Sequence, residues 1–152
     1  MKGFVLAACR IVVGGLFLWA ASTKVPDMAK FAEEVANYRL LPAALVPAVA
    51  AMVVGIEIVA GVLLVVGAWA RPAAIVVSGM LGVFILGIAQ ALARGIDLKC
   101  GCFGGEEAAS WLTVLRDLVI LAPALAVAIG GPGRLALASR ERPAGAEQRA
   151  TT

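Results

Sequence analysis

Four long apolar blocks, residues 4–22, 44–69, 73–93 and 111–130, constrain this chain more than any other feature. Each reaches or approaches the roughly 20 helical residues that cross the hydrocarbon core of a bilayer. Strong charges inside the blocks are few: Arg10, Glu57, Arg116 and Asp117. A segment in hydrocarbon must satisfy its backbone hydrogen bonds internally, which a helix does by itself. The expected fold is therefore all-α: an integral membrane four-helix bundle with antiparallel neighbours. Composition agrees, since 62% of the residues are apolar and 15% charged, against about half and about a quarter in soluble domains.

The connections give the bundle its organisation. Lys2 and the first apolar block suit either a cleaved signal or a retained helix. Arg10 interrupts the apolar run and no clear small-x-small cleavage site follows, so a retained helix is the better reading. After Pro26-Asp27, residues 27–38 carry Met28, Phe31, Val35 and Tyr38 on one helical face. Asp27, Lys30, Glu33, Glu34 and Asn37 occupy the other. This is a short amphipathic helix between spans one and two, lying in the membrane interface or packed on the bundle from the solvent side. Pro47 falls in the first turn of the second span, where its missing N–H costs little. Ala70-Arg71-Pro72 is expected to form a tight connection, and Pro123 to kink the fourth span. Four-residue spacings of small residues, Ser78 with Gly82 and Ala122 with Ala126 and Gly130, are candidate close-packing sites. Residues 1–133 thus form one four-span domain, and 134–152 a polar, Arg- and Ala-rich tail expected to be disordered.

The net charge of +3 is modest, and there is no histidine. Nothing resembles a nucleic-acid groove, and the commonest metal ligand and general base is missing. Lys2, Arg71, Arg134, Arg140, Arg142 and Arg149 fall on the side of the termini. Lys24, Lys30, Arg39, Arg94 and Lys99 fall on the other. The short loop and basic tail favour cytoplasmic termini, which puts the 95–110 loop outside.

That loop contains Asp97-Leu98-Lys99-Cys100-Gly101-Cys102-Phe103-Gly104-Gly105. Two thiols separated by one glycine are able to close a small, strained disulfide, and strained disulfides exchange readily. Lys99 favours the thiolate of Cys100, the nucleophilic form. Cys100 and Cys102 are therefore the candidate catalytic pair. A static disulfide is the bland alternative, although so small a ring adds little stability. Metal binding is the other. It needs ligands beyond two thiolates, and Cys9, the only other cysteine, falls towards the opposite face. No metal site is assigned.

Buried charges are the second signal. A bare carboxylate at Glu57 is costly in lipid. Arg10 in the first span is expected to neutralise it as a buried charge pair, either fixing helix register or forming a proton or substrate path. Arg116 and Asp117 fall about a turn and a half inside the fourth span, on the side of the cysteine loop. They are placed to support the thiols or to pair locally. Lys24 ends the first span on that side and is expected to snorkel to the interface.

Arg10, Gly14-Gly15, Lys24, Asp27, Phe31, Tyr38-Arg39-Leu40-Leu41-Pro42, Glu57, Gly61 and Gly67 resemble the pattern of the DoxX-like membrane proteins. The Cys100-Gly101-Cys102-Phe103-Gly104 string followed by Arg116-Asp117 is similar specifically to the MauE family of methylamine-utilisation membrane proteins, over roughly residues 4–130. The resemblance implies a four-helix, redox-associated protein of the bacterial inner membrane. It would work with a periplasmic thioredoxin-like partner in maturing a disulfide-rich exported enzyme. The wider group is compared with the quinone-linked disulfide-forming proteins DsbB and vitamin K epoxide reductase, which carry two cysteine pairs. This chain has one. The sequence requires no cofactor, and quinone enters only through that comparison. Family members commonly have Asn where this chain has Asp117.

Two functions from different classes follow. One is a thiol–disulfide oxidoreductase or relay subunit, with Cys100 and Cys102 exchanging and Arg116, Asp117, Lys24 and Lys99 supporting them. The other is a non-enzymatic membrane anchor or metal-binding subunit of a redox complex. Either is compatible with a homo- or hetero-oligomer.

Overall fold

The structure, a computed structural model, describes residues 2–95, 110–131 and 133. Lys99, Cys100 and Cys102, and the tail expected over 134–152, lie outside the described residues. Five α-helices order the described chain: α1 Lys2–Lys24, α2 Met28–Asn37, α3 Val46–Val66, α4 Ala70–Ala93 and α5 Trp111–Gly130. Among the described residues there is no strand, and four helical segments are long and apolar enough to cross a membrane.

Local chemistry sets the boundaries. A short 3-10 turn, Val25–Asp27, follows α1, and Asp27 caps α2 by accepting the Lys30 N–H on Oδ1 at 3.0 Å, which satisfies an otherwise orphaned helix-start donor. Pro47 occupies the first turn of α3. Gly67 ends α3 with φ 81° and donates its N–H to Leu63 O at 2.9 Å, a left-handed cap that glycine adopts without strain. The tight connection is therefore 67–69. Ala70, Arg71 and Pro72, expected to form it, instead begin α4, because a proline is tolerated in a helix's first turn. The turn's cost falls on Trp69, left-handed at φ 51° and largely exposed.

The four long helices close a ring in which α1 packs on α3 and α5, and α4 packs on α3 and α5. Its centre holds Val13 and Phe17 from α1, Ala60 and Leu64 from α3, Val77 and Leu81 from α4, and Ala124 and Val127 from α5. Exposed Val59, Val83, Leu86, Leu112 and Ile129 cover the outside. A bundle apolar both inside and out suits hydrocarbon on its outer face. α2 behaves as its pattern predicts: Phe31 is buried with Ala21, Ala50 and Val54, while Met28 and Val35 pack beside it. Lys30, Glu33 and Asn37 are exposed.

α1 and α3 approach closely at a pair of glycines. A Cβ built on Gly14 would come within 2.8 Å of Gly61 O, and one on Gly61 within 2.9 Å of Leu18 Cγ. Of the small-residue stripes read from the sequence, Gly130 does meet Leu6, whereas Gly82 faces open space and Ala122 and Ala126 are exposed. Four-residue spacing marks one helix face, and the ring decides whether that face meets protein or lipid.

Candidate functional site

The ring has two unlike ends. At one, the start of α1, the 67–69 turn and the end of α5 meet. There Arg71 reaches the last carbonyls of α5, with Nε 3.3 Å from Ala128 O and a terminal nitrogen, Nη2, 3.4 Å from Ile129 O. A Cβ on Gly133 would lie 2.7 Å from Gly3 O. At the other end lie Lys24, α2, the end of α4 at Arg94 and the start of α5, where the Ser110 N–H donates to Thr113 Oγ1 at 3.3 Å. Gly95 and Ser110, which flank the segment carrying Cys100 and Cys102 in the chain, are both at this second end.

Buried charge gathers at the same end. Lys24 Nζ lies 2.6 Å from Glu57 Oε1, with the two side chains 2% and 4% exposed. The ammonium also sits 5.2 Å from the centre of the Phe31 ring, a favourable place for a cation. The expectation that Lys24 snorkels outward is thus corrected. Side chains lean towards the N-terminus of their own helix, so Lys24 leans back into the ring while Glu57 on the antiparallel α3 leans towards it.

The same geometry corrects the expected pairing of Glu57 with Arg10. The contact of Gly14 with Gly61 sets the register of α1 against α3. Arg10 lies four residues beyond that contact in one direction and Glu57 four in the other, about 12 Å apart along the axis at 1.5 Å per residue. Their side chains lean away from each other. Both are buried, at 1% and 3% exposure, but at different depths, and the ion partner seen for Glu57 is Lys24. Its other oxygen, Oε2, is buried and accepts no hydrogen bond among the described residues.

The third member is Asp117 on α5, 1% exposed. Arg116 holds its Oδ1 from Nε at 3.3 Å and from Nη2 at 3.2 Å, with the Arg116 side chain 45% exposed. Lys24 on α1 and Asp117 on α5 are thus both buried, on helices that pack on each other. Arg116 carries its pair with Asp117 to the surface. Of the residues read from the sequence, the structure pairs Lys24 with Glu57 and Arg116 with Asp117, and sets Arg10 at a different depth from Glu57. The pairing of Lys24 with Glu57 was the relationship missed; its signal was a lysine ending one span and a carboxylate in the next.

No group of three or more Cys, Asp or Glu side chains able to hold a metal is present among the described residues. Cys9 lies about 22 Å from Lys24 along α1 at 1.5 Å per residue, at the other end of the ring.

No solved structure matches this chain. Among curated proteins, the methylamine utilization protein MauE of Paracoccus denitrificans is 39% identical over 135 residues, covering 87% of this chain and 73% of that protein. The methylamine utilization protein MauE of Paracoccus versutus is 37% identical over 147 residues, covering 95% of this chain and 75% of that one. The family model for methylamine utilisation protein MauE matches residues 2–130, which take in all four spans and both ion pairs. The chain belongs to the MauE family.

Proposed function

We propose that this protein is a membrane thiol–disulfide redox component of methylamine utilisation. In this reading Cys100 and Cys102 exchange electrons with a periplasmic thioredoxin-like partner and so support the maturation of an exported protein. The observation that carries the reading is that the buried charges Lys24, Glu57 and Asp117 all lie towards the end of the bundle where α4 ends and α5 begins. The cysteine segment connects those two helices in the chain. Charges are kept out of hydrocarbon unless they serve a purpose, and cations close to a thiol favour its thiolate.

The exchange balances with four sulfurs alone. The thiolate of one cysteine attacks a sulfur of the partner's disulfide; that S–S bond breaks, and the other partner sulfur leaves as a thiolate. The second cysteine gives up its proton and attacks the mixed disulfide. Cys100 and Cys102 are then joined, and the partner departs as a dithiol. Two electrons pass to the partner, and its thiolates take up the protons released. Run backwards, the same steps oxidise the partner. The protein resides in the bacterial cytoplasmic membrane, with the cysteine segment on the periplasmic side.

The test is to trap the intermediate in cells. Cys100→Ser and Cys102→Ser are expected each to leave one thiol, and one of them to accumulate a reductant-sensitive adduct with a periplasmic protein. The double variant gives none. Free thiols in both single variants with no adduct, in cells growing on methylamine, would reject the reading.

A further inference from the structure

The hold of α2 on the bundle centres on Phe31, its one buried side chain. Phe31 sits among Ala21 of α1 and Ala50 and Val54 of α3, with Met28 and Val35 packed beside it. Its ring also faces the Lys24 ammonium, 5.2 Å from the ring centre. Lys24 in turn lies 2.6 Å from Glu57 Oε1. The contacts therefore run from a carboxylate inside a membrane span, through an ammonium, to the amphipathic helix. Glu57 gives Lys24 one oxygen. Its buried Oε2 accepts no hydrogen bond among the described residues, so a proton is able to settle there without displacing Oε1.

Lys24 owes its inward position to the charge of Glu57. A lysine that ends a span ordinarily reaches out to the interface, and a buried ammonium that loses its counter-charge is costly. The other charges around Glu57 stand elsewhere. On α1, Arg10 is about 12 Å away along the axis at 1.5 Å per residue. On α2, Lys30 and Glu33 are exposed and Glu34 is half-buried, and Asp27 at the helix start is exposed. The one charged residue of α4 is Arg71, at the opposite end of the bundle. Asp117 and Arg116 belong to α5, which packs on α1 and α4.

We infer that Lys24 and Glu57 form a proton-operated latch for α2. The charged carboxylate of Glu57 holds the ammonium of Lys24 against Phe31, and a proton from water on Oε2 releases it. Lys24 keeps its own proton and turns out to the interface, so no net charge stays buried. Phe31 then loses the cation beside its ring, a contact worth about tenfold in an equilibrium constant where it is shielded from water. Acid is what discharges Glu57. The latch is therefore closed at higher pH and opens as the pH falls. The device is independent of the thiol reading, since each residue in it belongs to α1, α2 or α3.

The experiment is amide hydrogen exchange of the full-length protein in lipid nanodiscs, followed by mass spectrometry on α2 and α4 and corrected for the intrinsic effect of pH. In the wild type, α2 is expected to exchange about tenfold faster as the pH is lowered through the titration of Glu57, with α4 unchanged. Glu57→Gln keeps the shape of the protonated acid and should hold α2 in the faster state at every pH. The double variant Lys24→Met with Glu57→Leu leaves neither charge to bury, and its α2 should not respond to pH. Three results overturn the inference. One is a Glu57→Gln variant whose α2 is protected as in the wild type. The second is a pH response that survives in the double variant. The third is loss of protection in α2 and α4 together, which is general loosening rather than release of one helix.

Discussion

Lys24 at the end of the first span turns back into the bundle to meet Glu57 of the second at 2.6 Å, and neither side chain is more than 4% exposed. Removing one partner of a buried ion pair leaves an uncompensated charge and costs about 3–5 kcal/mol, whereas replacing both with apolar groups is often close to neutral. Lys24→Met and Glu57→Leu should each lower the unfolding midpoint in detergent strongly. The double variant should recover most of the loss. A double variant whose loss equals the sum of the two singles would mean that the contact is not formed.

The two glycines beside each other in α1 make a sharp comparison. Gly14 has Gly61 O, Val65 Cγ2 and Leu64 Cβ within 3.0 Å of a built Cβ, while Gly15 has nothing within 4 Å. Gly14→Ala forces α1 away from α3 and is expected to cost about 1–3 kcal/mol, the range for overpacking. Gly15→Ala should be neutral or slightly stabilising, since alanine is the better helix former. Thermal unfolding of both variants in the same detergent decides it. Equal midpoints would contradict the register given for α1 and α3, and with it the separation of Arg10 from Glu57.

If Lys24 and Asp117 act on the thiols, the sign of each effect is fixed. Removing a cation raises a thiol's pKa, and removing an anion lowers it. Lys24→Met should therefore move the alkylation of Cys100 and Cys102 to higher pH, and Asp117→Asn to lower pH. The measurement is the alkylation rate against pH on protein reduced beforehand, with Cys9→Ser as background. Identical profiles in all variants would leave the charges a purely structural role.

A redox titration in glutathione buffers tests the pair itself. A reversible two-electron transition is expected at roughly −240 to −180 mV, between the poise of glutathione and that of protein disulfide isomerase. Cys9→Ser should leave it unchanged. Thiols that never pair across that range, or that hold one metal ion per chain, would replace the exchange reading with the structural or metal-binding one.

How many spans there are, roughly where each lies, and the amphipathic face of α2 were legible in the sequence. Hydrocarbon imposes a length and an apolar composition on every crossing segment, and both are local properties. Arg116 and Asp117 were picked out as residue types in a short stretch of chain, and the structure pairs them at 3.2 Å. Which buried charge meets which was not legible. Arg10 was the expected partner of Glu57 and Lys24 is the one found; the two cations differ in depth along α1. Depth became definite once Gly14 met Gly61 and the antiparallel side chains leaned together at one end and apart at the other. Small-residue spacing likewise named Gly130 correctly and Gly82, Ala122 and Ala126 wrongly. A spacing identifies a face, but only the closed ring of helices determines whether that face turns to protein or to lipid.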